Sequence, residues 1–432
     1  MNIRDLIQRI LRKKVVKNAG WIIGGRIVHM LCAFVVSLLT ARYLGPGNYG
    51  LINYALAYTT FFYSICTLGI NSILVKALID EPEHEGETLG TSIVLQGIAS
   101  ILSSLMIIGI VSIIDGEETI TVIVTALCTI GLLFRVFETI RYWFQAHLLS
   151  KYSAITSTIA YIVTSAYRIV LLIQGRTVVW FALATAIDYL VIAFLLFIFL
   201  KKCKGPKLLF SKRQVSRLLR MGVPFILAGL MVSIYSNSDK FMLKHMVGEA
   251  EVGFYSTAYS LCNTWVFVLS AIIDSMYPII MEAHKNNYVV YEKRNRLMYA
   301  IVFYVSIFVS VLFVIFARPV VSLLYGDAYL PSILPLQVIT WYVAFSYLGV
   351  ARNAWIVSEN LQKYITPIYA GAAITNIIIN FLLIPIWGAT GAAVASLITQ
   401  ISTVFFFPLL IRPMRRNTRL LAEAMLLKGI RD

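Results

Sequence analysis

Ionisable side chains recur inside stretches of this chain that are otherwise apolar: Arg26, His29, Arg135, Glu138, Arg141, Arg168, Asp188, Asp239, Lys240, Lys244, Asp274 and Arg352. Lys and Arg outnumber the carboxylates among them. A charge in such a stretch is costly and normally faces a bundle interior or a watery cavity. Guanidinium and ammonium groups can replace the water around a phosphate or carboxylate. An organic cation would instead need carboxylates and aromatic faces. The chemistry offered is therefore the holding of an anion. Bond-making chemistry has no comparable signature: the chain lacks a Walker A loop, H-E-x-x-H, G-x-S-x-G and D-x-D. EPEHEGE at 81–87 gathers acids around His84, but this reads as a solvated loop and not a metal site.

Position sorts these charges. Arg26 and Lys240 lie roughly one and a half to two turns from the nearer ends of their apolar runs and are read as cavity-lining, with Asp239 neutralising one of them or titrating. Lys244 sits near one end of its run and can snorkel. Arg141 and Arg352 lie near the opposite ends of theirs. Arg135 and Glu138 are three residues apart, a spacing that pairs them on one helix face. Asp239, Asp188 and Asp274 are the carboxylates available to couple to H+ or Na+; no other cofactor and no metal are expected.

The elements that must position these groups are membrane helices. The chain has 432 residues, 59% hydrophobic and 13% charged, far from the balance of a soluble domain. A span needs about 20 apolar residues, and the sequence predicts twelve: 19–41, 50–72, 90–114, 120–145, 153–173, 178–200, 221–247, 254–281, 297–317, 333–357, 365–386 and 390–411. The organisation expected is an amphipathic tail over 1–18, a first lobe over 19–200, a basic linker over 201–220, a second lobe over 221–411 and a basic tail over 412–432. The linker reads as a hinge between lobes. Its charge serves topology and attraction to anionic lipid.

The net charge of +16 raises the question of nucleic acid, and its distribution answers it. Most Lys and Arg residues fall in loops on one side, while the other side holds only Arg42, Arg176 and Arg318. This is the positive-inside pattern with both termini cytoplasmic, and no nucleic-acid partner is needed. The first apolar run follows a basic segment as in a signal peptide. It is too long, contains Arg26 and His29, and lacks a small-x-small site, so a retained helix is expected. Four of the five cysteines fall within spans and Cys203 in a cytoplasmic loop, so no disulfide is expected.

An internal echo joins the halves. LGPGNYGLINYALAY follows the first span and VGEAEVGFYSTAY the seventh, so Gly45 and Gly50 recur as Gly248 and Gly253, 203 positions on. Six helices separate the two hairpins, which therefore cross in the same sense. This predicts parallel repeats about an axis along the membrane normal, a transporter architecture.

Four stretches carry a resemblance over nearly the full length: LTARYLGPGNYGLINYALAY (39–58), LGIN (68–71), NSDKFML…VGFYSTAY (237–259) and NFLLIPIWGATGAAVAS (380–396). In these the chain resembles the polysaccharide exporters of the multidrug/oligosaccharidyl-lipid/polysaccharide superfamily, specifically the Wzx-type O-antigen flippases. The resemblance implies an all-α, MATE-like fold of two six-helix lobes around a central cavity. It implies alternating access that carries an undecaprenyl-pyrophosphate-linked oligosaccharide from the inner to the outer leaflet of the bacterial cytoplasmic membrane, with a polysaccharide polymerase and a chain-length regulator as pathway partners. Helices 1, 2, 7 and 8 line the cavity in relatives, which would put Arg26, Asp239 and Lys240 at its wall. Two other readings stay open: a cation-coupled drug or metabolite exporter, and a membrane polymerase or ligase. The latter should carry a large extracytoplasmic loop, whereas the longest one expected here, 318–332, is mostly apolar.

Overall fold

The computed structural model describes residues 3–429, with side chains from residue 33 onward except those of Pro224 and Ala228. The amphipathic tail and the side chains of Arg26 and His29 thus lie outside the described residues. Everything regular in the described residues is helical. The first half contains α1 (Ile3–Cys66), α2 (Leu74–Asp80), α3 (Glu85–Ile114), α4 (Thr119–Arg135), α5 (Ile140–Ala146), α6 (Ser150–Ile173) and α7 (Val178–Lys202). The second contains α8 (Lys212–Met246), α9 (Glu249–Asn263), α10 (Phe267–Asn286), α11 (Tyr288–Tyr325), α12 (Ile333–Ala351), α13 (Asn353–Ser358), α14 (Ile365–Ile401), α15 (Phe407–Leu410) and α16 (Arg415–Met425).

Two of the helices that are longer than a membrane requires, α1 and α14, are broken internally at a glycine. At 64 residues α1 would run about 96 Å if straight. It breaks at Gly45 (φ 73°, ψ 169°), which precedes Pro46, and the proline ring disfavours helical geometry in the residue before it. In α14 the break is at Gly388 (φ 52°, ψ −130°). A Cβ added to Gly391 would lie 2.4 Å from the carbonyl oxygen of Leu383, although eight residues of straight helix span about 12 Å. The chain therefore doubles back at Gly388, so spans 365–386 and 390–411 of the sequence reading are two arms of one helical run.

Seven helices among the described residues are long and apolar enough to cross a membrane, and nine if two bent pairs count as one span each. One bent pair is α8 itself, which turns by 50° between 212–223 and 225–246, where Pro224 withholds a backbone donor. The other is α9 with α10, turning by 44°. The segment 318–332 is not an open loop: α11 continues to Tyr325, and a 3-10 helix covers Asp327–Ser332.

Within the first half α4 and α6 pack on α7, and α3 and α1 on α4; within the second, α8 and α12 pack on α14, and α11 on α12. The two halves meet most extensively where α1 packs on α9, and again where α1 packs on α8. Lipid-type exposure of apolar side chains is widespread, including Ile113, Phe194, Phe308, Phe381 and Trp387, as expected where the solvent of the outer surface is hydrocarbon.

The linker, expected to act as a hinge, is anchored on one side. Only residues 203–211 lie between helices, and they are fixed to the first half. Leu209 donates its backbone N–H to Gly86 O at 3.0 Å, and Ser211 N–H donates to Thr91 Oγ1 at 2.9 Å. At the start of α8, Glu81 accepts from Gln214 Nε2 at 3.3 Å and pairs with Arg217. The Arg217 and Gln214 contacts hold the Glu81 carboxyl below the usual range, the Gln214 hydrogen bond contributing most. The first turns of α8 thus belong with the first half, and the bend in α8 marks where the chain passes to the second.

Candidate functional site

The connections divide into two faces. One, the Gly45 face, holds the breaks at Gly45, Gly248, Gly326 and Gly388 and the turn 115–118; the other holds the linker and 146–150 and 286–288. On the Gly45 face the halves interlock. A Cβ on Gly50 would lie 1.9 Å from Glu249 O, and one on Gly253 would lie 2.1 Å from Pro46 O. Adding 203 to Pro46 and Gly50 gives Glu249 and Gly253, so each contact is the image of the other. Such reciprocity is the mark of a two-fold relation, and only glycine lets the two backbones come this close.

Charges close the same face. Lys244, 8% exposed, donates to Glu118 Oε2 at 2.5 Å and Glu249 Oε1 at 2.9 Å. Asp115 accepts from Tyr54 Oη at 2.7 Å and lies 3.8 Å from His245 Nδ1. Tyr329 Oη reaches across to Ala41 O at 2.7 Å. Lys244, expected to line a cavity or snorkel, is a buried ion-pair partner between the halves.

Asp239 and Lys240 do not share a face, which corrects the expectation that both line the cavity. Successive helix residues are about 100° apart. Asp239, 3% exposed, turns into the second half. Its carboxylate accepts from Tyr255 Oη at 2.5 Å, Ser396 Oγ at 2.8 Å and Asn380 Nδ2 at 2.5 Å. Asn380 also donates to Asn376 Oδ1 at 2.9 Å, and Ser238 donates to the same oxygen at 2.6 Å. Asn376 adds a further hydrogen-bonding contact to Asp239, and among the described residues the buried Asn380 Oδ1 has no partner. Asp239 and Lys240 feel each other's charge but do not come within ion-pair distance. Lys240 instead falls seven residues from Ser233 on one stripe of α8, and Ser233 Oγ meets Ser64 Oγ of α1 at 2.7 Å. Lys240 therefore sits at the boundary between the halves. It is partly buried, and no hydrogen bond or ion pair holds it among the described residues.

The remaining expected residues scatter. Arg135 and Arg141 both pair with Glu138, at 3.3 and 3.2 Å, and the Arg135 guanidinium lies 3.4 Å over the Tyr63 ring. This is a structural cluster with one net positive charge. Arg352, 3% exposed, donates to Thr403 O at 2.9 Å, in the π-helical turn Ser402–Phe406, and among the described residues its Nε has no partner. It is buried in the second half, away from the boundary occupied by Lys240. Asp188 accepts from Thr164 Oγ1 at 3.1 Å, and Asp274 is exposed on α10.

The sequence reading missed the ring around Asp239. Asn376 and Asn380, four apart in an apolar run, were its available signal, since one helix face then carries both amides.

A sequence profile described as "Polysaccharide biosynthesis protein" matches residues 15–284. The chain belongs to that family. It is 22% identical over 410 residues to the capsular polysaccharide biosynthesis protein CapF of Staphylococcus aureus, covering 91% of this chain and 99% of that protein. Among solved structures it resembles an inward-facing MATE multidrug transporter of the MOP superfamily (TM-score 0.70, 15% identity, 91% and 96% of the two chains). It also resembles the lipid II flippase MurJ in an inward closed conformation (TM-score 0.70, 12% identity, 93% and 90%). This member of the family is thus an all-helical membrane protein of polysaccharide biosynthesis with a transporter fold.

Proposed function

We propose that this protein is a flippase for a lipid-linked oligosaccharide. It carries undecaprenyl-pyrophosphate-linked repeat units from the inner to the outer leaflet of the bacterial cytoplasmic membrane by alternating access, for O-antigen or a related surface polysaccharide. A polymerase and a chain-length regulator act on what it delivers. The observation that carries the reading is Lys240: an ammonium held by no hydrogen bond or ion pair among the described residues, nearly two turns inside the end of α8, at the boundary where the halves must part. The family and the fold supply the context, and a cationic drug would not be drawn to such a group.

On this reading the linker face is cytoplasmic and the Gly45 face is the closed outer gate. Asp239 holds the coupling ion. Oxygens of the kind Na+ takes stand around it, a carboxylate, two hydroxyls and Asn380 Oδ1, although the Asn380 amide N–H also points at the carboxylate. A bound ion would supply the driving force by neutralising Asp239 when the halves rearrange. Deleting the gene tests the flippase reading. Lipid-linked repeat units should then accumulate on the cytoplasmic leaflet, and a deletion strain with normal surface delivery would refute it.

A further inference from the structure

A second cation stands apart from Lys240. Arg168 lines a cavity of about 240 Å³ within the first half, with Ser37, Thr40, Tyr49, Asn53 and Thr185 among its walls. It makes no hydrogen bond or close ion pair among the described residues and is only partly buried, with the Asp188 carboxylate of α7 as an electrostatic neighbour that offsets part of its charge. Three helices place the cavity at one depth. Arg168 lies five residues before the end of α6, Thr40 five before the Gly45 break and Thr185 seven into α7. At the rise of a helix these are about 8, 8 and 10 Å from the Gly45 face. The cavity therefore lies just beneath the face where the halves interlock.

A guanidinium beside hydroxyls and an amide suits a small ligand carrying both a negative charge and hydroxyl groups, because the fork of an Arg matches a carboxylate or phosphate and the rest can bond sugar hydroxyls. The space is smaller than that of a typical drug site, which limits the occupant to about one sugar ring. We propose that this cavity is an anion subsite taking a single acidic sugar, bearing a carboxylate or a phosphate. The identity of that sugar as part of the cargo rests on the flippase reading; its binding does not.

Purified protein in lipid nanodiscs tests the subsite directly by calorimetry with glucuronate, glucose 1-phosphate and glucose. One or both anions should bind, and whichever does identifies the acidic group. Glucose should bind about tenfold or more weakly, the loss expected for one charge-assisted contact. Arg168→Gln should lose the anions to the same extent, and Arg168→Lys should keep part. Thr185→Val should weaken both anions without changing their order, and serves if Arg168→Gln does not fold. Glucose binding as tightly as glucuronate, or an Arg168→Gln protein that folds and retains the anions, would overturn the subsite. So would no binding of either anion. A failed gene-deletion test would leave all these binding results intact.

Discussion

Lys240 and Asp239 are neighbours in sequence with separate tasks. Losing the Lys240 contact should cost about 1.5–3 kcal/mol in the bound state, or roughly ten- to a hundredfold in transport. Lys240→Ala should show that loss at normal membrane abundance, and Lys240→Arg should recover part of it in a complementation assay; full complementation by Lys240→Ala would make the group structural. Asp239→Asn keeps the shape but removes the charge facing Tyr255, Ser396 and Asn380. Transport by that variant should lose its dependence on Na+ or pH, and an unchanged ion dependence would move the coupling site elsewhere. Glu118 behaves differently again. Hydrogen bonds from Lys244 and then Thr121 hold its carboxyl below the usual range. A lowered carboxyl contributes stability above its ordinary value, and that contribution is lost only as pH falls through the lowered one. The Lys244 bridge should therefore be indifferent to pH above about 5, so any pH response of transport near neutrality must arise elsewhere.

At the scale of elements, the reciprocal glycines make the closest approach between the halves. Gly50→Ala places a methyl where the Glu249 carbonyl stands, and relief requires the helices to move apart at a cost of about 1–3 kcal/mol. Backbone amides around Gly50 and Gly253 should exchange hydrogen slowly in the parent and faster with Gly50→Ala or Gly253→Ala. Equal exchange rates would mean that the seal does not depend on the glycines. The hairpin echo was legible in the sequence because glycine at a fixed interval is a local signal. The existence and rough positions of the helices were legible for the same reason, through apolar runs. The linker's attachment to α3 was not, because the backbone N–H groups of Leu209 and Ser211 make it, donating to Gly86 O and Thr91 Oγ1, and no side-chain pattern in the linker announces them. Nor was the separation of Asp239 from Lys240 read correctly, although the 100° step between adjacent residues contains it. The pairing of Lys244 with Glu118 joins residues 126 positions apart, and only the fold brings them together.

For the whole molecule, orientation comes first. Cysteines at Asn48 and Glu117 should react in intact cells with a reagent that cannot cross the membrane, and those at Lys207 and Asn287 should not. Labelling of Lys207→Cys would invert the protein and with it the direction of transport. The central claim is that a lipid-linked oligosaccharide crosses between leaflets on this protein, guided by a cation at the boundary of the halves. The most direct measurement reconstitutes the purified protein in vesicles carrying undecaprenyl-pyrophosphate-linked oligosaccharide and follows how much of the glycan an impermeant glycosidase removes. With the parent protein the accessible share should grow beyond the outer-leaflet pool, and with Lys240→Ala it should stay near that pool. An accessible share that never exceeds the outer-leaflet pool in vesicles of correctly folded parent protein would contradict the account.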